Sequence, residues 1–385
     1  MTILLMLNNS CNLSCAYCFL SSSTFKVEPR KIDIEKVKKA VLEAIRLHYG
    51  EGYRGEREVV LHGGEPFLTP RKVLVEILDF LEEHNIRVGA QSNCLLFSLD
   101  PSLIDLAKRY RISVGCSIDG YPEQNILRGF YIHDKPLDEK LNLRISERIF
   151  DAVKRLKKEG VLGGIITVLH KKNAYGIENL EKLSRFITEM EVGFRLNPMY
   201  STVEWAKKYE LSNDELFEAY KYIFHRTAPL SGTISPYRDI INKLLGREDN
   251  VVCWLRGCDF YRSHVITVLW DGRLSTCDRT FGQEIYQIGF YSGRNIRFRA
   301  LQNIYRDPLG HVHMYMCPAE SPNGDWRYPS RFLDAFKRLI NYLAMYIRTI
   351  FPEIHLIDEV EPMKYIEYVE RGCRWDPWRG EFICQ

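Results

Sequence analysis

The chain has 385 residues, of which 45% are hydrophobic and 27% charged, and its formal net charge is +3. These values are typical of a globular protein with room for two domains, or for one barrel with an appendage. So small a net charge gives no indication of a surface for nucleic acid or for an anionic membrane. We therefore expect no nucleic acid and no membrane among the partners.

Cysteine usage and the N-terminus indicate the compartment. The chain has 11 cysteines but no secretory signal, because Ile3–Leu7 lacks a preceding basic segment and leads directly into the first cysteine motif. This N-terminal segment is predicted to be a strand. In a reducing compartment cysteines serve metals and catalysis rather than disulfides, so we expect a cytoplasmic protein with cysteine-bound metal.

Helices and strands alternate along the first half of the chain. The apolar periodicity predicts helices over Asp33–His48, Arg71–His84, Pro101–Tyr110, Ile145–Lys158 and Ile177–Met190. It predicts strands over Ile3–Leu7, Val59–Leu61, Ile86–Gln91, Ile112–Ser117, Gly164–Leu169 and Gly193–Asn197. Six such units imply parallel strands with right-handed crossovers, and ligand-binding residues at the carboxyl ends of the strands.

The second half of the chain follows a different pattern. A helical connector is predicted over Asp214–His225, followed from Val251 by a second cysteine-bearing region. Within it a hairpin is predicted, with Val265–Trp270 as a strand and Asp271-Gly272 as the turn signal. Phe332–Phe351 has apolar residues at helical spacing but is interrupted by charges, which predicts a packed amphipathic helix rather than a membrane span.

The first cysteine motif carries most of the chemical information. Cys11, Cys15 and Cys18 have the spacing Cys-x3-Cys-x2-Cys. Three thiolates can hold three irons of a cubane and leave the fourth iron open, whereas a closed cluster uses four cysteines. An open position is typical of a metal site that performs catalysis. The alternatives are a zinc site, which usually consists of two spaced pairs, or a loop of buried thiols.

With the aromatic Tyr17 before its third cysteine, this motif resembles that of the radical S-adenosylmethionine (SAM) superfamily. In that family the open iron of a [4Fe-4S] cluster binds the amino and carboxylate groups of SAM. Reductive cleavage then gives a 5′-deoxyadenosyl radical that abstracts hydrogen from the substrate. The resemblance implies an α/β fold, a partial (β/α)6 TIM-type barrel, over residues 1–205.

Segments at the predicted strand ends also match this family. Gly63-Gly64-Glu65-Pro66 matches its GGEP motif, in which glycines allow close approach to a ligand and the carboxylate accepts from the ammonium group of SAM. The guanidinium of Arg128 would pair with the carboxylate of SAM. Asp119 lies in a segment that resembles this family, and it is equally well explained as a turn residue. The resemblance implies further SAM contacts at Gln91, Asn93, Ser117, Leu169 and Asn197.

A second set of cysteines indicates which members of the superfamily the chain resembles. Cys258, Gly272 and Cys277 fit the Cys-x(9–15)-Gly-x4-Cys signature of SPASM and Twitch domains, which carry auxiliary [4Fe-4S] clusters. The further cysteine run of a full SPASM domain is missing. The expectation is therefore one Twitch-like auxiliary cluster, with Cys373 or Cys384 as possible substitutes in the ligand set Cys253, Cys258, Cys277 and Cys317. Cys94 and Cys116 are predicted to be small buried residues.

The predicted organisation has four parts. The core barrel over 1–205 is followed by a helical connector over 206–250. A small α+β domain of the SPASM/Twitch type occupies 251–320, and a C-terminal helical extension occupies 321–385.

The resemblance implies an oxidoreductase-type enzyme that modifies a peptide or protein and receives electrons from ferredoxin or flavodoxin. No leader-binding module is expected before the first strand. In sulfatase-maturing relatives an aspartate at the place of Asp278 is a proton acceptor; the alternative is a turn cap. One alternative function is a small-molecule dehydrogenase or cyclase with one auxiliary cluster. The other is a non-catalytic iron–sulfur electron carrier, which would need none of the SAM-pocket segments.

Overall fold

The computed structural model describes residues 2–18, 32–132, 135–201, 204–247, 251–256, 265–275, 277–279, 304–314, 317–321 and 328–384. Its strands are β1 Thr2–Met6, β2 Arg57–His62, β3 Ile86–Ser92, β4 Ser113–Ser117, β5 Tyr131–Ile132, β6 Lys135–Pro136, β7 Leu162–Leu169, β8 Phe194–Pro198, β9 Ile234–Ser235, β10 Val265–Leu269, β11 Leu274–Ser275, β12 Arg374–Asp376 and β13 Glu381–Ile383. Its α-helices are α1 Ile34–Tyr49, α2 Arg71–Glu83, α3 Leu95–Leu99, α4 Ser102–Arg109, α5 Glu139–Lys158, α6 Ile177–Met190, α7 Asn213–Arg226, α8 Tyr237–Leu244, α9 Gly310–His313, α10 Leu333–Ile350 and α11 Pro362–Glu370.

The chain divides into two compact units. The first comprises Met1–Glu210 and His264–Tyr291, and the second comprises Leu211–Ser263 and Ser292–Gln385. In the described part of the first unit the strands follow the order β11-β10-β1-β2-β3-β4-β7-β8. The six strands from β1 to β8 in this order are mutually parallel. The prediction of an α/β fold with the parallel sheet of a partial TIM-type barrel is therefore confirmed.

The predicted elements agree with the observed ones to within a few residues, with one exception. Helix α5 begins at Glu139, six residues before its predicted start, because Asp138 caps it by accepting from the amides of Lys140 and Leu141. Its first turns carry mostly polar residues, so the apolar periodicity does not reveal them. One of these polar residues, Asn142, is buried and accepts a hydrogen bond from the Phe130 amide at 2.9 Å.

The two faces of the parallel sheet differ in burial. On one face, Ile3 and Leu5 of β1 and Val59 and Leu61 of β2 are fully buried. We call the other the open face, because side chains on it stay partly exposed on five strands, β2, β3, β4, β7 and β8. It carries Val60, His62, Gln91, Ser117, Ile166, Val168, Arg195 and Asn197. Burial of one face only is the pattern expected when helices cover the outside and the inside holds a ligand.

A hairpin from the second cysteine region extends this sheet. Strand β10 pairs in parallel with β1, and β11 returns antiparallel. The turn packs on α1, and a Cβ on Gly272 (φ +83°) would lie only 2.8 Å from the Lys36 Cβ. The predicted division placed this hairpin in a separate domain over 251–320, whereas the structure includes it in the first unit. Pairing covers an edge of β1 that would otherwise be open.

The second unit is mostly helical. Helix α7 begins with a capping box, in which Ser212 and Glu215 bond reciprocally. Helix α10 packs its apolar face against α7 and α8, which confirms the predicted amphipathic helix. Strands β12 and β13 form a hairpin closed by a disulfide between Cys373 and Cys384. Among the described residues, no helix combines the length and apolarity that a bilayer span requires.

Candidate active site at the carboxyl ends of the strands

The loop that carries the first three cysteines is anchored by backbone hydrogen bonds. The amide of Ser14 donates to the Gly129 carbonyl at 2.9 Å, and that of Ala16 donates to the Leu127 carbonyl at 3.0 Å. Ser14 also forms an isolated parallel bridge with Phe130. This pairing fixes the middle of the cysteine loop against the segment that contains Arg128.

The GGEP turn supports the same loop from the other side. The Glu65 amide donates to the Ser10 carbonyl at 2.8 Å. A Cβ on Gly64 would lie 2.1 Å from that carbonyl oxygen, and one on Gly63 would lie 2.2 Å from the Asn8 oxygen. The two glycines are thus required by close packing against the cysteine loop, whereas the sequence predicted an approach to a ligand. Pro66 is buried and starts a short 3-10 turn.

The Glu65 side chain is an internal anchor. It is fully buried and accepts hydrogen bonds from the Phe67 amide, the Ser92 hydroxyl and the Asn93 amide, all at 2.9–3.2 Å. These bonds tie the end of β2 to the end of β3. The sequence predicted that this carboxylate accepts from SAM, but in the structure its oxygens bond to protein donors. Burial raises the pKa of Glu65 to about 7, even though these hydrogen bonds oppose the rise.

We expect this raised pKa to make the fold less stable as the pH rises. A carboxyl with a higher pKa when folded holds its proton longer in the folded state, so stability is lost between the unfolded and the folded pKa values. Between about pH 5.5 and 7 the loss from Glu65 should reach about 2 kcal/mol. Urea unfolding of the reconstituted wild type and Glu65→Gln at several pH values measures it. If the free energy of unfolding falls equally steeply with pH in both proteins, the raised pKa does not belong to Glu65.

Asn93 links the end of β3 to the cysteine loop. Its side-chain amide donates to the Asn12 Oδ1 at 2.8 Å and to the Cys11 Sγ at 3.5 Å. Its own Oδ1 accepts from the Leu95 amide at 3.0 Å, which fixes the orientation of the side chain. Asn93 was predicted to contact SAM, and the structure places it beside the first cysteine.

A buried carboxylate, Asp119, lies at the centre of the site. Its Oδ1 accepts from the Val168 amide at 2.9 Å and pairs with the Arg128 guanidinium at 3.0 Å. Its Oδ2 accepts from the Tyr17 hydroxyl and lies 3.4 Å from the His170 Nε2. Asp119 therefore joins the cysteine loop, the Arg128 segment and the end of β7, which is far more than the turn that the sequence suggested.

Charge pairing decides the protonation of this network. Burial alone would raise the pKa of Asp119, but Arg128 and then His170 outweigh burial, and the pKa is lowered. Burial would likewise lower the pKa of Arg128, but Asp119 and Tyr17 outweigh it and raise that pKa. The pair is therefore an ionised carboxylate and a guanidinium, both buried. The Arg128 Nε has no hydrogen-bond partner among the described residues.

The remaining predicted SAM contacts fall on different faces. Gln91 donates to the Ser117 hydroxyl at 2.7 Å, and both side chains lie on the open face. Asn197 also lies there and accepts from the Arg195 Nε at 3.2 Å. Leu169 is fully buried on the opposite face, whereas its neighbour Val168 lies on the open face.

Asp278 lies beside a histidine of the core sheet. Its Oδ2 is 3.7 Å from the His62 Nδ1, and its Oδ1 accepts from the Cys277 thiol at 3.3 Å. Burial would raise the pKa of Asp278, but His62 and Arg279 outweigh burial and lower it. The carboxylate is therefore ionised at neutral pH. Since β10 pairs with β1, the hairpin brings Asp278 to the carboxyl end of β2.

The other cysteines fall into two groups. Cys94 and Cys116 are fully buried, as predicted, and they form a disulfide that the sequence did not predict. Cys373 and Cys384 pair with each other, so the structure does not offer them as substitute ligands. Of the predicted auxiliary set, Cys258 lies outside the described residues. Cys253, Cys277 and Cys317 stand outside both disulfides.

The cysteine loop fits an open iron–sulfur cluster in its donor chemistry. Cys11, Cys15 and Cys18 are free thiols in one loop. Burial raises the pKa of the Cys15 thiol, and the neighbouring thiols add to the rise although Arg128 opposes it. A metal ion that binds thiolates would offset the free-energy cost of ionising this buried thiol. Nearby, the Arg128 Nε and the Asn12 Nδ2 are buried donors without partners in the described chain, as expected where a polar ligand binds.

Comparison with known proteins agrees with this geometry. The model of the Radical SAM superfamily matches residues 5–187. These residues form a radical SAM domain. An uncharacterized protein of Methanocaldococcus jannaschii is 28% identical over 186 residues, 47% of this chain and 57% of that protein. The cysteine-type anaerobic sulfatase-maturating enzyme of Clostridium perfringens is 24% identical over 203 residues, 50% of this chain and 51% of the enzyme. The chain spans about half the length of these curated relatives.

Solved structures share the fold of this chain over a larger part of its length. Native anSMEcpe with bound AdoMet matches with a TM-score of 0.71 at 18% identity, over 92% of this chain and 100% of that one. The same enzyme with AdoMet and the Cp18Cys peptide gives 0.70 at 19% identity, over 91% and 98%. Streptococcus suis SuiB bound to S-adenosylmethionine gives 0.52 at 17% identity, over 74% and 62%. At these identities the likeness concerns the fold.

Sequence reasoning missed two histidines that lie beside carboxylates of the candidate site. His62 directly precedes the GGEP motif, and a polar residue at the carboxyl end of a strand is the signal that marks it in a barrel fold. His170 carries the same signal, because it directly follows β7. His62 lies beside Asp278 and His170 lies beside Asp119, and in each case the carboxylate belongs to a distant part of the chain. Such contacts cannot be predicted from local sequence.

Proposed function

We propose that this chain is an enzyme that reductively cleaves SAM and uses the resulting radical in the post-translational modification of a peptide or protein. One observation carries the proposal. The Asp119–Arg128 ion pair is buried against the cysteine loop through Tyr17, and the Arg128 Nε is left without a partner in the described chain. A structural ion pair of this kind would have its donors satisfied.

In the proposed mechanism Cys11, Cys15 and Cys18 hold a [4Fe-4S] cluster. When bound, that cluster supplies the electron that converts SAM to methionine and a 5′-deoxyadenosyl radical. Arg128 binds the carboxylate of SAM with the part of its guanidinium that Asp119 does not use. Asn93 orients the side chain of Asn12 and the thiol of Cys11, and Tyr17 is fixed by its bond to Asp119.

Asp278 is proposed as the base that takes a proton from the substrate after hydrogen abstraction. It is ionised at neutral pH, and His62 stabilises its charge. Cys253, Cys258, Cys277 and Cys317 would hold an auxiliary [4Fe-4S] cluster, which would supply a one-electron acceptor for the electron that remains on the substrate. A ferredoxin or flavodoxin is the proposed one-electron donor for SAM cleavage.

A peptide or protein substrate is supported by two features. The relative from Clostridium perfringens matures sulfatases, and the fold is shared with an enzyme solved with a bound peptide. In addition, the open face carries hydrogen-bonding side chains on several strands, including Gln91 and Ser117. Such a surface suits a substrate with many polar backbone groups.

Iron content tests the division of the cysteines into two sites. We expect anaerobic reconstitution to give about eight irons per chain, which corresponds to two cubanes. The triple change of Cys11, Cys15 and Cys18 to Ala should remove about half. The double change of Cys94 and Cys116 to Ala serves as the control, because it removes a buried disulfide but no predicted iron ligand. Loss of no iron, or of all of it, in the triple variant would contradict the proposal.

A further inference from the structure

Arg195 is a cation on the open face that the proposed SAM chemistry does not use. It is partly exposed in the middle of β8, where the burial pattern alternates strictly. Its register partner is Ile166 on β7, whose own partner is Ser117 on β4. Register partners in a parallel sheet lie on the same face. Arg195 therefore belongs to the surface that also carries Gln91 and Ser117.

The immediate surroundings of Arg195 contain several hydrogen-bond donors. Its Nε donates to the Asn197 Oδ1 at 3.2 Å, which uses one of the two lone pairs of that amide oxygen. The two Nη groups of Arg195 and the Nδ2 of Asn197 are further donors at the same place. No carboxylate of the described residues forms an ion pair with Arg195. A partly exposed guanidinium without a carboxylate partner in the described chain is available to a ligand of opposite charge.

We infer that Arg195 and Asn197 form a substrate subsite for a carboxylate, as found in an acidic side chain or at the C-terminus of a peptide. A carboxylate accepts through both oxygens and matches the fork of a guanidinium, with the Asn197 amide as a third donor. The inference rests on the proposed function and adds the charge of the substrate to it. The neutral Gln91 and Ser117 on the same face would then contact uncharged parts of the substrate.

Two capped tripeptides test the subsite. Acetyl-Gly-Glu-Gly-amide and acetyl-Gly-Gln-Gly-amide differ only in the charge of one side chain. Their affinities for the reconstituted, SAM-loaded holoenzyme can be measured anaerobically by saturation-transfer NMR. We expect the wild type to bind the glutamate peptide at least about tenfold more tightly, because the hydrogen bonds are charge-assisted. Inorganic phosphate, added as a competitor, should displace it poorly.

The variants are Arg195→Gln and, as a matched control, Arg87→Gln. Arg87 lies on β3 of the same sheet but pairs on the surface with Glu56. Arg195→Gln should lose the preference for the glutamate peptide while its affinity for SAM stays within about twofold. Arg87→Gln should keep the preference.

Three results would overturn the inference. The first is that the wild type shows no preference for the glutamate peptide, and the second is that this preference persists in Arg195→Gln. The third is that Arg195→Gln loses affinity for SAM, which would mean that Arg195 and Asn197 bind SAM. If inorganic phosphate displaces the glutamate peptide at equal concentration, the subsite is not selective for a carboxylate. Failure of the proposed function is distinguishable, because the wild type would then release no 5′-deoxyadenosine.

Discussion

Asp119→Asn is expected to lower the free energy of unfolding by about 3–5 kcal/mol, the usual cost of leaving one member of a buried ion pair alone. The substitution keeps the size of the side chain but removes the charge that offsets the Arg128 guanidinium, 3.0 Å away. It also disturbs the bonds to the Tyr17 hydroxyl and the Val168 amide. Affinity for SAM should fall as well, because Arg128 is no longer held. Urea unfolding and SAM titration of the reconstituted protein measure both effects.

Two further variants separate the charge effect from general damage. Asp151→Asn removes a carboxylate on the surface, 3.9 Å from Lys154, and should change stability by less than about 0.5 kcal/mol. Combining Asp119→Asn with Arg128→Met removes both charges, so the double variant should be less destabilised than the sum of the single ones. Strict additivity would show that the pair is not the source of the loss.

Asp278→Asn is expected to separate hydrogen abstraction from product formation. The amide is nearly isosteric with the carboxylate but cannot take a proton at neutral pH. SAM cleavage and transfer of deuterium from a labelled substrate into 5′-deoxyadenosine should therefore continue. Product formation should fall by about 10²–10⁴-fold, the usual contribution of a general base.

The iron content of the Asp278→Asn variant is the control for this experiment. Asp278 accepts from the Cys277 thiol, so a structural role would appear as loss of iron. Retained iron with lost product supports a base, whereas retained product formation would reduce Asp278 to a turn cap. Loss of iron would indicate that Asp278 has a structural role and holds Cys277 in position.

The sheet could be predicted from the sequence because its information is local. Each parallel strand is a short apolar run bounded by turn residues, and the crossover helices repeat apolar residues at helical spacing. The end of each strand then located candidate site residues without any structure. This reasoning predicted Asn93 and Asp278, because Asn93 directly follows a strand and Asp278 directly follows a motif cysteine, and the family resemblance predicted Arg128; their roles stay predictions.

The partners of these residues could not be predicted, because they come from distant segments. Asp119 receives hydrogen bonds from residues 102 and 49 positions away in the chain. Glu65 was assigned to SAM from its motif, but its burial against Ser92 and Asn93 depends on how the ends of β2 and β3 meet. The hairpin was assigned to another domain, since nothing in its sequence indicates that β10 pairs with β1.

The central claim is that the cysteine loop cleaves SAM, and SAM cleavage tests it most directly. Reconstituted wild type, reduced with dithionite and supplied with SAM alone, should release 5′-deoxyadenosine slowly. The variant with Cys11, Cys15 and Cys18 changed to Ala should release none, because the thiolates that leave one iron open are gone. The variant with both Cys94 and Cys116 changed to Ala should still release it, because neither member of this disulfide lies in the loop. Release of 5′-deoxyadenosine by the triple variant would contradict the account.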